Sequence, residues 1–271
     1  MSAVAHRLPV RRYAPLARVA VASTMSAKGA FALGTAISGV TMLAVIFLWH
    51  AVFQRRSTVR GVTWKEMESY LIVTFVMSRL VSYSIGRIGR RVLDGSIAVD
   101  LARPLDFQLA QLFDAFGVAA VEGVGALAIG LVAALSVGGF QFPHGTVRVL
   151  LFLVSLLLIV PLKFVLVYVA NLLTFWTTSS MGVTTTLTTL SLALSGTYIP
   201  ITLFPHWLEL VAKALPFQAI AFGPAWIFIG RVDDVGALVV VGSQLAWIVV
   251  LGLVGRWLWA YAARAVTIHG G

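Results

Sequence analysis

One polar stretch, RIGRRVLDGSIAVDLARPLD at residues 87–106, separates two long apolar segments of the chain. Its arginines follow directly after an apolar segment, where cationic side chains favour the cytoplasmic face of a membrane. Asp94-Gly95 within it is a turn signal, because Gly adopts positive φ at no steric cost and Asp can bond its own backbone. Two interpretations fit the stretch: an ordinary basic loop, or a segment that docks against a cytoplasmic partner.

A short helix is predicted after this turn. Ser96 can cap its first turn, and Ile97 and Leu101 lie four residues apart on one face. Pro104 then ends the helix, because proline disfavours helical geometry in the residue before it. The sequence therefore predicts a short amphipathic helix held at the membrane surface.

The composition is that of a membrane protein. Apolar residues make up 59% of the 271 positions and charged residues only 11%, with a mean hydropathy of +0.95. The net charge of +10 comes from basic residues scattered between apolar segments, which favours anionic lipid headgroups over nucleic acid as partners. The chain has no cysteine, so disulfides, cysteine-ligated metals and thiol chemistry are excluded.

The apolar segments predict an all-α polytopic membrane protein with six transmembrane helices in a single domain, because each can cross a hydrocarbon core of about 30 Å. Four prolines, at 200, 205, 216 and 224, divide the region before the last span into pieces too short to cross. The predicted segments are an N-terminal interfacial helix within 1–29, spans at 31–53, 66–85, 109–137, 147–176, 183–199 and 235–259, a cytoplasmic segment at 87–108 and outer re-entrant helices at 200–230.

An even number of spans puts both chain ends on the same side of the membrane. Arg and Lys are more numerous on that side if it is cytoplasmic, which indicates a cytoplasmic-membrane protein with both termini inside. Arg55, Arg56 and Arg60 in the first outer loop count against this orientation.

Two charged residues fall inside predicted spans. Glu122 lies in the third span and Lys163 lies in the fourth, and each alone would be costly in hydrocarbon. Neighbouring antiparallel spans would let them form an intramembrane charge pair. A structural ion pair, a substrate contact and a proton relay all remain open for these residues.

The fifth span is rich in hydroxyl side chains. Such groups bond their own helix or a neighbouring helix at small net cost, so close packing is one interpretation and the lining of a polar path is the other. The candidate path-lining residues are Thr185, Thr188, Thr189, Ser191 and Ser195.

The chain shows no catalytic constellation. Its five histidines lack metal-ligand spacing, and none of its four lysines follows a glycine as a phosphate-binding loop requires. We therefore expect no enzyme activity, no metal and no cofactor bound by this chain. The competing classes are an ion-driven transporter and a membrane-embedded enzyme, either of which would use Glu122 and Lys163, and a non-transporting membrane scaffold.

Three stretches together resemble the membrane subunits of type-2 ABC exporters, the small permease family with six spans. One is the turn at Asp94-Gly95 with the short helix that follows it. Another precedes the last span, and the third is the C-terminal Gly270-Gly271 after a basic tail. The residues that carry the first two are Asp94-Gly95-Ser-Ile-Ala with Leu101-Ala-Arg103-Pro104-Leu105, and Ser195-Gly196-Thr-Tyr-Ile-Pro200 with Leu203-Phe-Pro205-x-Trp207, Leu215-Pro216-Phe217 and Pro224.

The resemblance implies roles for these segments. Residues 10–28 would form an elbow helix on the membrane, and the second and fifth spans would face a partner permease around the path. The ATPase-coupling residues would be Asp94, Gly95, Ile97, Asp100, Leu101, Arg103 and Pro104. The outer gate would comprise Tyr198, Pro200, Pro205, Trp207, Pro216 and Phe217.

The resemblance also implies partners. A dimer of cytoplasmic ABC ATPase subunits would bind ATP and Mg²⁺, and a second permease chain, a related heterodimer partner, would complete the path among membrane lipids. The substrate would be an amphipathic or apolar molecule, such as a drug, antibiotic, peptide or lipid, moved outward.

Overall fold

The computed structural model describes residues 12–80, 87–101, 104–136, 138–177 and 179–269. Helices dominate this part of the chain, and one short hairpin interrupts them. The elements are α1 Ala14–Ser26, α2 Lys28–Phe53, β1 Thr58–Val59, β2 Val62–Thr63, α3 Trp64–Arg79, α4 Arg87–Leu93, α5 Ile97–Leu101, α6 Phe107–Ser136, α7 Thr146–Leu172, α8 Thr174–Thr177, α9 Ser180–Leu194, α10 His206–Ala214, α11 Phe222–Phe228 and α12 Asp234–His269, with 3-10 turns at Ile201–Leu203 and Pro216–Ala219.

Helices α7 and α12 pack along each other over much of their length. The close approach depends on Gly255, where a Cβ atom would lie only 2.8 Å from the Tyr168 ring. Farther along, the buried Gln244 side chain donates to the carbonyls of Ser155 at 3.2 Å and Ala219 at 2.9 Å. Small residues and polar side chains that bond across helices are the usual means of packing spans in lipid.

Helices α1 and α2 follow α6 in the same direction. The centroids of the Tyr13 and Phe113 rings lie 5.7 Å apart in a stacked arrangement, and a Cβ atom on Gly117 would collide with the Ala17 carbonyl oxygen. The predicted elbow helix over 10–28 therefore corresponds to α1, whose course is set by the first turns of α6. Its position on the membrane surface stays a prediction.

Four helices within the described ranges are long and apolar enough to cross a membrane, or five if the bent pair His206–Ala214 and Pro216–Phe228 is one span. The four are Phe31–Phe53, Phe107–Ser136, Thr146–Thr177 and Asp234–Ala263. Helices α3 and α9 have only 16 and 15 residues, about 22–24 Å at 1.5 Å per residue. The count of six spans accordingly remains a proposal.

Two predicted spans end earlier than expected. The span at 66–85 corresponds to α3, which ends at Arg79, with Leu80 in extended conformation; its predicted last five residues lie outside the described part. The span at 183–199 corresponds to α9, which starts earlier and stops at Leu194. There the chain turns through Gly196, whose φ of +80° favours glycine.

Two other boundaries also differ. The last helix runs to His269 rather than to 259, so most of the basic tail continues the helix. The loop between α2 and α3, predicted as the first outer loop, forms a hairpin in which Thr58 pairs with Thr63 and Val59 with Val62, around Arg60 and Gly61 with positive φ. The all-α fold is confirmed for nearly all of the described chain, and this hairpin is its exception, because two residues of positive φ give the turn that matches strand twist.

Candidate functional site

A cavity of about 610 Å³ opens between α2, α3, α7 and α9. All five hydroxyl residues singled out in the fifth predicted span line it. We call this space the hydroxyl cavity, and its other described lining residues are Ser38, Thr41, Met42, Phe75, Ser78, Arg79, Lys163, Leu166, Val167, Thr184, Leu187, Leu192, Thr197, Tyr198 and Ile220.

The hydroxyls on α9 are of two kinds. Some bond the backbone of their own helix, as Thr188 does by donating to the Thr184 carbonyl at 2.8 Å. Ser195 is buried and lies 2.7 Å from the Thr197 hydroxyl. Thr185 and Thr189 are exposed and lie one helical turn apart, so their hydroxyls face the open space.

Lys163 brings a positive charge to the wall of the cavity. Its ammonium donates to the Ser78 carbonyl at 2.8 Å and to the Leu80 carbonyl, both at the end of α3. Glu122 lies close enough for a favourable Coulombic interaction with Lys163, while Arg79 repels it. The pairing of Glu122 with Lys163 stays a prediction, and the bonds to α3 explain why a cation is tolerated at this depth.

The segment after α9 closes one end of the cavity, and α2 and α3 hold it in place. The Trp49 indole donates to the Tyr198 carbonyl at 2.9 Å, and Thr74 donates to the Thr197 carbonyl at 3.0 Å. The Tyr70 hydroxyl donates to the Gly196 carbonyl.

The residues predicted for the outer gate are distributed over this end. Tyr198 lines the cavity, whereas Pro200, Pro216 and Phe217 are buried and do not line it. Pro205 and Trp207 are exposed, and they do not line this space.

The hairpin fastens the broken helices, which the sequence did not indicate. Arg60 donates to the Thr202 carbonyl at 2.7 Å. Arg231, after α11, donates to the Glu66 carboxylate at 2.8 Å and to the Gly61 carbonyl. Arg60 of the loop between α2 and α3 and Arg231 of the loop before α12 are thus used within the chain. We call these contacts the outer latch.

The predicted coupling segment forms two short helices, α4 and α5, joined by the expected turn. Gly95 has a φ of +76°, and the Asp94 carboxylate accepts the Ser96 amide at 2.9 Å. Hydrogen bonds from the Ser96 side chain and amide hold the pKa of Asp94 below its ordinary value. The carboxylate is therefore ionised at neutral pH, and the turn is formed as the spacing predicted.

The remaining predicted coupling residues have different surroundings. Ile97 is buried, and Asp100 forms an ion pair with Arg91 of α4, so Asp100 holds the two short helices together. Leu101 ends α5. Pro104 is exposed, and Arg103 lies outside the described residues.

Helix α4 is anchored on the end of α7. The Gly89 amide donates to the buried Asn171 side chain at 3.0 Å, and Asn171 donates to the Val167 carbonyl at 2.7 Å. A Cβ atom at Gly89 would lie 3.1 Å or less from Asn171, Thr174 and Ser180. Because Ser180 begins α9, Gly89 joins the coupling segment to the helix that lines the cavity. A glycine inside a basic helix was the one sequence signal for this contact.

A family model described as "ABC-2 family transporter protein" matches residues 40–270. The match includes the hairpin, both short helices, all of α9 and the broken helices. The chain belongs to the ABC-2 transporter family. No curated protein and no solved structure matches it.

Membership of the ABC-2 family establishes several points. The chain is a multi-pass membrane protein and the transport subunit of an ABC transporter, not a catalytic enzyme, and the family works with an ABC ATPase. The resemblance drawn from the coupling and outer motifs is confirmed. Across the described ranges of this ABC-2 protein, no three His, Asp or Glu side chains gather as metal ligands would.

Proposed function

We propose that the chain is the permease of an ATP-driven exporter and moves an amphipathic or apolar substrate outward through the hydroxyl cavity. The observation that carries this proposal is that α9 presents its hydroxyls to a space that apolar residues of α2, α3 and α7 also line. Such mixed walls suit a molecule with both a polar and an apolar part. A drug, antibiotic, peptide or lipid meets this description.

The energy comes from a separate cytoplasmic ATPase dimer, which binds ATP and Mg²⁺. Its closure displaces α4 and α5, and the anchor at Gly89 passes that displacement to α7 and α9. The helices that line the cavity then change from one arrangement to another. The permease itself breaks no covalent bond. Nucleotide can bias a distant cavity only through contacts that differ between two such states.

A second, related permease chain completes the path. The cavity lies between α2 and α9, and α2 also exposes large apolar side chains such as Phe47 and Leu48. In this arrangement α3 and α9 count as the second and fifth of six spans, both chain termini are cytoplasmic, and lipids of the cytoplasmic membrane surround the remaining faces.

Single cysteines in this cysteine-free chain test the arrangement. Ser96 lies exposed in the turn of the coupling segment, and Gly138 is exposed after α6, with space for a side chain. In intact cells a membrane-impermeant maleimide should label Gly138→Cys but label Ser96→Cys only after permeabilisation. A photocrosslinker on Ser96→Cys should capture a soluble ATPase, and the same reagent on Gly138→Cys should not. Labelling of Ser96→Cys in intact cells would contradict the proposed orientation.

A further inference from the structure

The hydroxyl cavity carries a charge bias that its apolar walls conceal. Arg79 and Lys163 line it, and none of its described lining residues is acidic. Glu122 acts on Lys163 from outside this set of lining residues. A ligand in the cavity can therefore contact cationic side chains of the lining, whereas the Glu122 carboxylate acts on it only through its effect on Lys163.

Lys163 keeps the capacity to bind a ligand. An ammonium has three N–H donors, and two of them are directed to the Ser78 and Leu80 carbonyls. Carbonyl groups orient the ammonium without cancelling its charge. One donor remains, and because Lys163 lines the cavity, an acceptor there can compete with Glu122 for this ammonium; a charged acceptor would be bound most strongly.

The α9 side of the cavity supplies neutral donors. Thr185 and Thr189 are exposed to the space and are one turn apart. Their hydroxyl hydrogens can turn toward an oxyanion held by Lys163, because hydroxyl rotors adjust to their partners. Met42, Phe75 and Leu187 provide apolar surface in the same cavity.

We infer that the hydroxyl cavity binds amphiphiles with an acidic headgroup, a phosphate or carboxylate on an apolar chain. The headgroup contacts the Lys163 ammonium and the hydroxyls of Thr185 and Thr189, and the chain lies along the apolar walls. This inference deepens the proposed function and rests on it, since it assigns a substrate class to the proposed path.

Binding of labelled dodecyl phosphate to the purified chain in phosphatidylcholine nanodiscs tests the inference, with empty nanodiscs as the blank. Binding should saturate, and excess dodecyltrimethylammonium, which has the same chain and the opposite charge, should not displace the probe. Inorganic phosphate should not displace it either, because the apolar chain contributes to affinity. Displacement by the cation as effective as by unlabelled dodecyl phosphate would overturn the inference, and so would displacement by inorganic phosphate.

Three variants locate the site. Lys163→Gln should weaken binding about tenfold or more, as expected for loss of a charged hydrogen-bond donor. The double variant Thr185→Val/Thr189→Val should weaken it about threefold to tenfold. The control is Thr186→Val, an exposed threonine on the same helix that does not line the cavity, and it should bind as the wild type does.

Because Lys163 also bonds the end of α3, Lys163→Gln can fail to fold. In that case the double variant Thr185→Val/Thr189→Val decides whether the probe binds at the assigned site. Wild-type affinity in that double variant would place the probe elsewhere and refute the assigned site. This assay needs no ATPase and the labelling test needs no ligand. If the inferred site is wrong, the binding assay fails while the photocrosslinker on Ser96→Cys still captures an ATPase. If the proposed permease function is wrong, the crosslinking experiment captures no ATPase.

Discussion

The Asp106 carboxylate lies 2.6 Å from the Arg256 guanidinium and joins the start of α6 to the last part of α12. The Asp106 amide donates to the Tyr13 hydroxyl at 3.1 Å, so the beginning of the described chain reaches the same point. The first helix and the last helix thus both reach Asp106, which lies within the predicted coupling segment at 87–108. This arrangement supports the proposal that both termini and the ATPase lie on one side.

Tyr13→Phe should lower the free energy of unfolding by about 0.5–1.5 kcal/mol, because it leaves the Asp106 amide without its acceptor. The stacking on Phe113 is kept, so only the hydrogen bond is removed. Detergent titration followed by tryptophan fluorescence measures the change. The control is Tyr261→Phe, an exposed tyrosine that stacks on Trp176, which should match the wild type. Equal stability of the two variants would show that the bond to Tyr13 contributes nothing.

Gly89→Ala should separate ATP hydrolysis from transport. The added methyl group would lie 2.9 Å from the Asn171 amide oxygen and would displace α4 from α7 and α9, at a cost of about 1–3 kcal/mol. In reconstituted complexes we expect ATPase activity to persist while transport falls about tenfold. Gly242→Ala, in an exposed part of α12 with nothing within 4 Å, should change neither. Transport that falls only in proportion to ATPase activity would rule out the anchor as a transmission point.

Much of the fold follows from local sequence. The turn at Gly95 was predictable from Asp94-Gly95, and the hydroxyl face of α9 was predictable from the spacing of Thr185 and Thr189. Hydropathy also indicated the long helices, although it placed their ends less well. These features depend on residues within a few positions of each other.

Other features depend on distant residues and could not be read from the sequence. The bond between Glu66 and Arg231 joins residues 165 positions apart, and the bond between Gly89 and Asn171 joins residues 82 positions apart. Lys163 bonds the Ser78 and Leu80 carbonyls at the end of α3, which lie 85 and 83 positions away in the sequence. The sequence alone does not show which of its many polar groups become neighbours when the helices pack, so these partners could not be predicted.

Arg231→Gln should loosen the outer latch. It removes a partly buried ion pair with Glu66, and we expect a loss of about 1–2 kcal/mol in unfolding free energy and faster hydrogen exchange in the hairpin. Lys213→Gln removes the more exposed pair with Glu209 within α10 and should cost about 0.5 kcal/mol or less. If the two variants lose the same stability and the hairpin exchanges as before, the hairpin is not fastened by Arg231.

A double-mutant cycle tests the predicted charge pair in the membrane. Lys163→Met alone should destabilise the chain more than Lys163→Met combined with Glu122→Gln, because the single change removes a cation that attracts a buried carboxylate. We expect a coupling energy of at least about 0.5 kcal/mol. Simple additivity of the two changes would exclude the pair and leave Lys163 to its carbonyl partners.

The most direct test of the permease account is purification of the tagged chain from its native membranes in a gentle detergent, with identification of the proteins that accompany it and an assay of ATP hydrolysis. The account predicts that a soluble ABC ATPase and a second permease of similar size co-purify and that the complex hydrolyses ATP. Recovery of the chain alone, without ATP hydrolysis, would contradict it.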